Sequence, residues 1–414
     1  MREVSDQQAR VTAAAVAPRP ARVAITEAHG LLCAEDVVAE RPLPGFDQSA
    51  IDGYAVRSID VSRAGMDFGA EDSGEVVLPV VGSVDAGSRQ PHRLQPGQAV
   101  RVATGAPLPT LADAVLPIDW SDRGQGRVQV YKPVRSGDYV RRLGEDVQPG
   151  DVAVTAGATI GPAQVGLLAA VGRDRVLVHP RPRLSVLAIG GELIDVDRTP
   201  GLGQVYDVNS YALAAAARDA GADVNRVGVV SPDRLREVVE SQLVRSEIVV
   251  ISGPVGGALC DDICAALSEL GEFGVDRVAM HPGSAQGFGA LGRDEVPTFL
   301  VPSSPLAALV VFEVMIRPLI RIALGRRQPM RRLVRARTLS PVVSIPGRAG
   351  YLRGQLMREE STGEYLVREL GAAASSSCLP AALTDANCLM LVEPEVTELR
   401  AGDEVDVMFL AQRG

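Results

Sequence analysis

Residues 42–57, PLPGFDQSAIDGYAVR, place two aspartates and a tyrosine on a backbone punctuated by Pro42, Pro44, Gly45 and Gly53. Proline fixes φ and removes a donor, and glycine opens conformations closed to other residues, so the chain turns here instead of running on as a core strand. Asp47, Asp52 and Tyr54 are thereby held on loops of fixed geometry, which is where functional charge concentrates. Asp47 and Asp52 also suit the capping of backbone donors in their own turns.

Around this run the chain divides by pattern. Before it lie an Ala-rich helical stretch and an extended run at 21–25. After it, short β-like runs such as 76–81 and 127–131, separated by Gly and Pro, predict a β-rich insert over 47–139. Between 182 and 324, apolar strands at 184–189, 225–230, 248–251 and 299–301 alternate with helical stretches at 209–220, 233–244, 261–270 and 305–324. That alternation predicts a mainly parallel sheet with helices on both faces, binding ligands beyond the carboxyl ends of its strands. From 331 onward, strands at 342–345, 388–392 and 405–409 predict a separate β unit. The expected fold class is multidomain α/β plus β.

Bulk properties narrow the function. A chain of 414 residues exceeds the roughly 250–300 that one core supports. A net charge of −9 excludes a nucleic-acid footprint, which needs clustered excess Lys and Arg. Five cysteines (Cys33, Cys260, Cys264, Cys378, Cys388) without a signal-type N-terminus point to reduced thiols and a cytoplasmic location. Cys260 and Cys264 share a helix face, but no histidine stands at metal spacing, so they read as packed side chains. The apolar run 306–324 is long enough for a membrane span. Glu313, Arg317 and Arg321 recur four apart within it, however, and predict an amphipathic core helix with no membrane insertion.

The run 42–57, together with VRVATGAPLPTLADAVLP at 100–117, GEDVQPGD at 144–151 and GQVYDVNSY at 203–211, resembles the molybdopterin molybdenumtransferase family, which includes the E domain of gephyrin. The resemblance implies a discontinuous N-terminal dimerisation domain (1–46 and 140–180), the β-rich insert (47–139), an α/β molybdopterin-binding-like domain (181–328) and a C-terminal β domain (329–414). It implies catalytic positions at Asp52, Thr104, Glu192 and Asp261, cofactor-binding positions at Gly190, Gly253, Gly283 and Ser303, and a requirement for Mg2+. Asp47, Asp52, Gly53, Tyr54, Thr104, Asp113 and Asn209 keep the family pattern. Their retention fits either substrate and magnesium positioning or support of a homodimer.

Other positions depart from it. The family's Ser-Thr-Gly-Asp-Glu-Leu run is AIGGEL at 188–193, its Ser-Gly-Gly-Val-Ser loop is SGPVG at 252–256, and its Pro-Gly-Asn-Pro turn is PSSP at 302–305. Its Lys-Pro-Gly-Lys-Pro run is HPGSA at 281–285, without either lysine. Two lost charge-assisted bonds at roughly 1.5–3 kcal/mol each weaken phosphate binding by about two to four decades. Arg277, or a protonated His281, offers a partial replacement. Small residues at strand-to-helix turns also serve tight packing alone.

Two functions follow. The first is a gephyrin-like homodimeric scaffold with a degenerate molybdopterin pocket. Its C-terminal groove, anchored by Tyr351, Leu352, Met357 and Phe409, would bind a short peptide, such as the tail of the cell-division protein FtsZ, with an indirect link to a membrane receptor. The alternative is a working molybdopterin molybdenumtransferase. The loss of positive side chains favours the scaffold.

Overall fold

The computed structural model describes residues 1–65, 75–89, 93–326, 328–371 and 384–410; Cys378 lies outside them. The chain forms two compact units, one of Arg22–Val178 and one of Met1–Ala21 with His179–Gly414. Among the described residues no helix is long and apolar enough to cross a membrane.

The Arg22–Val178 unit holds a five-stranded sheet in the order Ala114–Pro117, Gly53–Val56, Ala99–Val102, Val76–Val84, Arg127–Val130. The turning run 42–57 therefore ends as a strand, and Tyr54 is buried in that sheet's core with Leu116 and Val128. A second core joins Cys33 and Val37 to Ile160, Leu168 and Val176, so residues after 150 pack back on residues before 40.

The other unit begins with helix α1 (Val4–Ala13), whose Val11 is buried in the main α/β core. The α/β sheet contains β1 (Arg183–Ala188), β4 (Asp223–Val229), β5 (Ile248–Gly253), β6 (Gly271–Arg277), β8 (Ala285–Leu291) and β9 (Val296–Pro302). Its spatial order is β4-β1-β5-β9-β8-β6. The first four are parallel and follow the expected apolar runs; β8 and β6 add antiparallel strands at one edge. Three other short strands, β2 (Leu193–Ile194), β3 (Val205–Tyr206) and β7 (Met280–His281), lie outside this sheet. The helices are α2 (Asn209–Ala220), α3 (Leu235–Leu243), α4 (Ala258–Ser268), α5 (Pro305–Val311) and α6 (Arg317–Ala323). A π-helical turn, Phe312–Ile316, links α5 to α6, so the expected single helix over 305–324 is interrupted.

The C-terminal strands are β10 (Leu333–Thr338), β11 (Ala349–Arg358), β12 (Tyr365–Glu369), β13 (Cys388–Val392) and β14 (Glu404–Phe409). They run β11-β12-β10-β14-β13, and β13 pairs back onto β11, closing a small barrel. Closure removes free sheet edges. Strand β7 of the α/β part adds to β11 on its outer side.

Candidate functional site

In the parallel part of the sheet, β1 is first in sequence and lies between β4 and β5, so successive connections leave it in opposite directions. The crevice between β1 and β5 at their carboxyl ends is a topological switch point, where α/β sheets bind ligands. A cavity of about 280 Å³ lies there, lined by Ile189, Glu192, Leu193, Val205, Tyr206, Asp207, Val208, Asn209, Ser252, Ser303 and Pro305. Its lining is largely apolar with a few convergent polar groups, the usual make-up of a small-molecule site.

Asn209, the first residue of α2, is 7% exposed. Its Nδ2 donates to Ser252 Oγ at 2.7 Å and to the Ser303 carbonyl at 2.8 Å, and the carbonyl fixes which end of the amide is which. Its Oδ1 is buried and has no hydrogen-bond partner. A buried acceptor without a donor is costly, and such atoms mark places where a ligand or water completes the site. Asp207 is buried in the same wall and caps the helix. Its Oδ1 accepts from Ser210 N at 3.0 Å, and its Oδ2 takes a short hydrogen bond from Ser210 Oγ.

Of the positions named from sequence, Glu192 and Ser303 line this cavity. Gly190 and Gly253 sit at the ends of β1 and β5, and a Cβ at Gly190 would lie 2.6 Å from Glu192 Oε2. Asp261 is on the exposed first turn of α4, outside the lining. Gly283 is outside it too; its φ of +92°, with Val311 Cγ2 at 2.5 Å from the position of a Cβ, is a packing demand for glycine. Asp52 and Thr104 belong to the other unit. Asp52 Oδ1 accepts from Thr104 N at 2.7 Å and Thr104 Oγ1 at 2.8 Å, and these bonds hold its carboxyl below the usual range. Asp47 accepts from Leu143 N at 2.7 Å and Arg142 Nη1 at 3.0 Å. Both aspartates thus accept from backbone donors on distant segments, 52 residues away for Asp52 and 96 for Asp47, and not from donors in their own turns as the capping reading expects.

His281 does not supply a cation. Burial, and then the nearby charge of Arg348, push it below the ordinary imidazole range. Arg348 is itself a positive side chain next to the altered 281–285 run, brought there by the approach to β11. The peptide groove is not built either. Tyr351 is buried in the main core. Leu352 and Phe409 pack on the barrel core, and Met357 is half-buried on β11. Consecutive strand residues face opposite sides, so Tyr351 packs on the α/β core while Leu352 faces the barrel core.

Sequence reasoning overlooked Asp207 and Ser252. Asp207 had a signal, an aspartate three residues before a residue in the first turn of a helix. Ser252 had none until β5 was placed beside β1. For magnesium, among the described residues no three His, Cys, Asp or Glu side chains gather into a metal-holding group.

Three family models cover most of the chain: the MoeA N-terminal region (domain I and II) at residues 2–172, a probable molybdopterin binding domain at 185–322, and the MoeA C-terminal region (domain IV) at 335–410. The chain is 66% identical to molybdopterin molybdenumtransferase 1 of Mycobacterium tuberculosis, covering 100% of both chains. The chain belongs to the MoeA family. It is also 36% identical to molybdopterin molybdenumtransferase 2 of the same organism, over 98% of this chain and 99% of that one. Among solved structures, the molybdopterin biosynthesis MoeA protein of Pyrococcus horikoshii superposes with a TM-score of 0.79 at 30% identity, covering 99% of each chain.

These relationships overturn the scaffold expectation. The 66% identity, over 100% of both chains, is to a curated molybdopterin molybdenumtransferase, and none of these relatives points to a scaffold. The match of a molybdopterin binding domain over 185–322 likewise removes the inference that molybdopterin is lost. The error was to count lysines at two fixed positions. Nothing in the family match or the barrel supports a peptide groove, a cell-division role or an FtsZ partner.

Proposed function

We propose that this chain is a molybdopterin molybdenumtransferase, moving molybdenum from molybdate to the dithiolene of adenylylated molybdopterin with release of AMP. The observation that carries this reading is the 66% identity over the full length of molybdopterin molybdenumtransferase 1. The switch-point cavity supports it, because its size suits a bicyclic head group and its polar groups sit at one end. Asn209 Oδ1 offers an acceptor to a ring N–H. Ser252, Ser303 and Glu192 line the same cavity, with Leu193 of β2 and Val205 and Tyr206 of β3. Apolar walls from Ile189, Leu193 and Val205 exclude water and strengthen those hydrogen bonds.

The test is reconstitution. Purified chain, adenylylated molybdopterin and molybdate with magnesium are expected to release AMP in proportion to active molybdenum cofactor, scored by activation of a cofactor-free molybdoenzyme. The chain is also expected to restore molybdoenzyme activity to a strain lacking its molybdenumtransferase. Absence of both AMP release and rescue would overturn the proposal.

A further inference from the structure

The cavity wall made by residues 192–208 is tied to the body of the α/β domain by a cluster of polar contacts centred on one guanidinium. Asp195 follows β2 directly; its Oδ1 accepts from Tyr211 Oη at 2.6 Å and its Oδ2 from Arg226 Nη2 at 2.9 Å. The same Nη2 donates to Tyr211 Oη at 3.0 Å. Arg226 Nη1 donates to Ser210 Oγ at 3.1 Å and lies 3.8 Å from Asp207 Oδ2. The guanidinium carbon sits 3.9 Å from the centre of the Tyr211 ring. One side chain thus joins the ribbon, the first turn of α2 and strand β4.

The backbone is shaped for this. The register of β4 against β1 slips between Arg226 and Gly228, which pair with the consecutive residues Val186 and Leu187, and Gly228 has a φ of +87°. A bulge re-aims the side chains around it, and bulges collect beside functional sites. Much of the ribbon is open, with Val205 and Tyr206 lining the cavity at 53% and 44% exposed and Leu202 fully exposed, so its hold comes from buried Ile194, the Tyr211–Asp195 bond, the Asp207 cap on Ser210 and the Arg226 contacts.

We propose that Arg226 is a positioning residue for the cavity, acting through Asp195 and Asp207 to hold the 192–208 wall in its ligand-ready place. It is not a cation offered to substrate, since the carboxylates of Asp195 and Asp207 already face its charge. The hydrogen bonds from Tyr211 and Arg226 hold the Asp195 carboxyl below its usual range, consistent with a persistent contact. The inference rests on the reading of the cavity as the molybdopterin site.

The experiment uses the full chain and Arg226→Met, Arg226→Lys and Tyr211→Phe, with two readouts. Hydrogen exchange of amides 193–206 needs no substrate, and steady-state kinetics use adenylylated molybdopterin. In Arg226→Met the ribbon amides are expected to exchange at least tenfold faster while β1 and β5 keep wild-type protection. KM is expected to rise about tenfold with kcat within twofold. Lysine, able to meet one carboxylate at a time, is expected to fall between. Tyr211→Phe removes a single donor from a partly exposed side chain and is expected to speed ribbon exchange two- to fivefold, so the inference stands or falls even where Arg226→Met does not fold. Unchanged ribbon exchange, or unchanged KM in an active enzyme, overturns it. An inactive wild type with faster ribbon exchange in the variants would retire the enzymatic reading and leave the clasp in place.

Discussion

Asn209 Nδ2 donates to Ser252 Oγ at 2.7 Å, joining the first residue of α2 to the carboxyl end of β5 across the switch point. The same amide holds the Ser303 carbonyl, so one side chain ties three strand-end loops together. Asn209→Ala leaves those groups short of a donor in a buried site and is expected to cost about 1–3 kcal/mol of unfolding free energy. Asn209→Asp is expected to cost at least as much, because a carboxylate oxygen would face the Ser303 carbonyl. Urea denaturation measures both. A substrate that binds this site also raises wild-type stability by mass action, and that increment is expected to shrink in Asn209→Ala. Wild-type stability in both variants would remove the amide from its role.

Sequence periodicity revealed β1, β5 and β9 because each is an apolar run buried on both faces, as in β5, where every residue is buried, whereas β4 at the sheet edge is largely half-buried or exposed. It did not reveal β6 and β8, whose Gly-interrupted runs form the antiparallel edge, with Gly289 packed against the backbone of Phe273. Glu313, Arg317 and Arg321 at four-residue spacing read as a wet stripe. In the fold Arg317 is buried and Glu313 nearly so, and Glu313 lies within the π turn that leads into Arg317's helix. Asn209 was legible as a family position. Its partners were not, because Ser252 and Ser303 lie 43 and 94 residues away. The same distance problem misled the electrostatic reading: local runs display missing lysines, whereas Arg348 comes near His281 only once the chain has folded.

His281 sets a pH dependence with a definite sign. The unfolded chain takes up a proton near pH 6.5, about the ordinary imidazole value, whereas the folded chain refuses it until lower pH. The stability contributed by neutral His281 is therefore complete above about pH 6.5 and is lost as the pH falls toward the folded value. His281→Gln cannot titrate and is expected to flatten the stability curve just below that point. A second loss at lower pH is expected to remain. Asp113, half-buried and held below the usual carboxylate range by Ser58 N and Oγ despite that burial, must also be protonated there. Parallel curves for wild type and His281→Gln would show that His281 is not shifted.

Gly283→Ala separates packing from ligand binding at a position the family resemblance assigns to the cofactor. A methyl group there must adopt a left-handed φ and displace Val311, whose Cγ2 would be 2.5 Å away. Left-handed backbone in a non-glycine residue costs about 1–3 kcal/mol before any clash. The expected outcome is a loss of at least that size in thermal or urea unfolding, with KM for adenylylated molybdopterin unchanged below the melting temperature. A raised KM at full stability would instead place Gly283 against the ligand.

Arg331 and Glu313 form a bidentate pair that joins the π turn to the barrel. Arg331 Nε and Nη2 donate to the two Glu313 oxygens at 2.8 and 2.9 Å, while Nη1 donates to the Leu410 carbonyl at 2.9 Å. The side chains are 7% and 12% exposed, so removing one partner strands a buried charge, for which about 3–5 kcal/mol is typical. Arg317 Nε, 3.7 Å from Glu313, softens that loss. Arg331→Met is accordingly expected at the lower end of the range. Glu313→Gln with Arg331→Met is expected to regain part of the cost, because the neutral amide needs no counter-charge. A double-mutant cycle by chemical denaturation decides the point. Additivity within about 0.5 kcal/mol would mean that the two residues do not interact, and that the barrel is held to the α/β domain by its other contacts, the β7–β11 pairing among them.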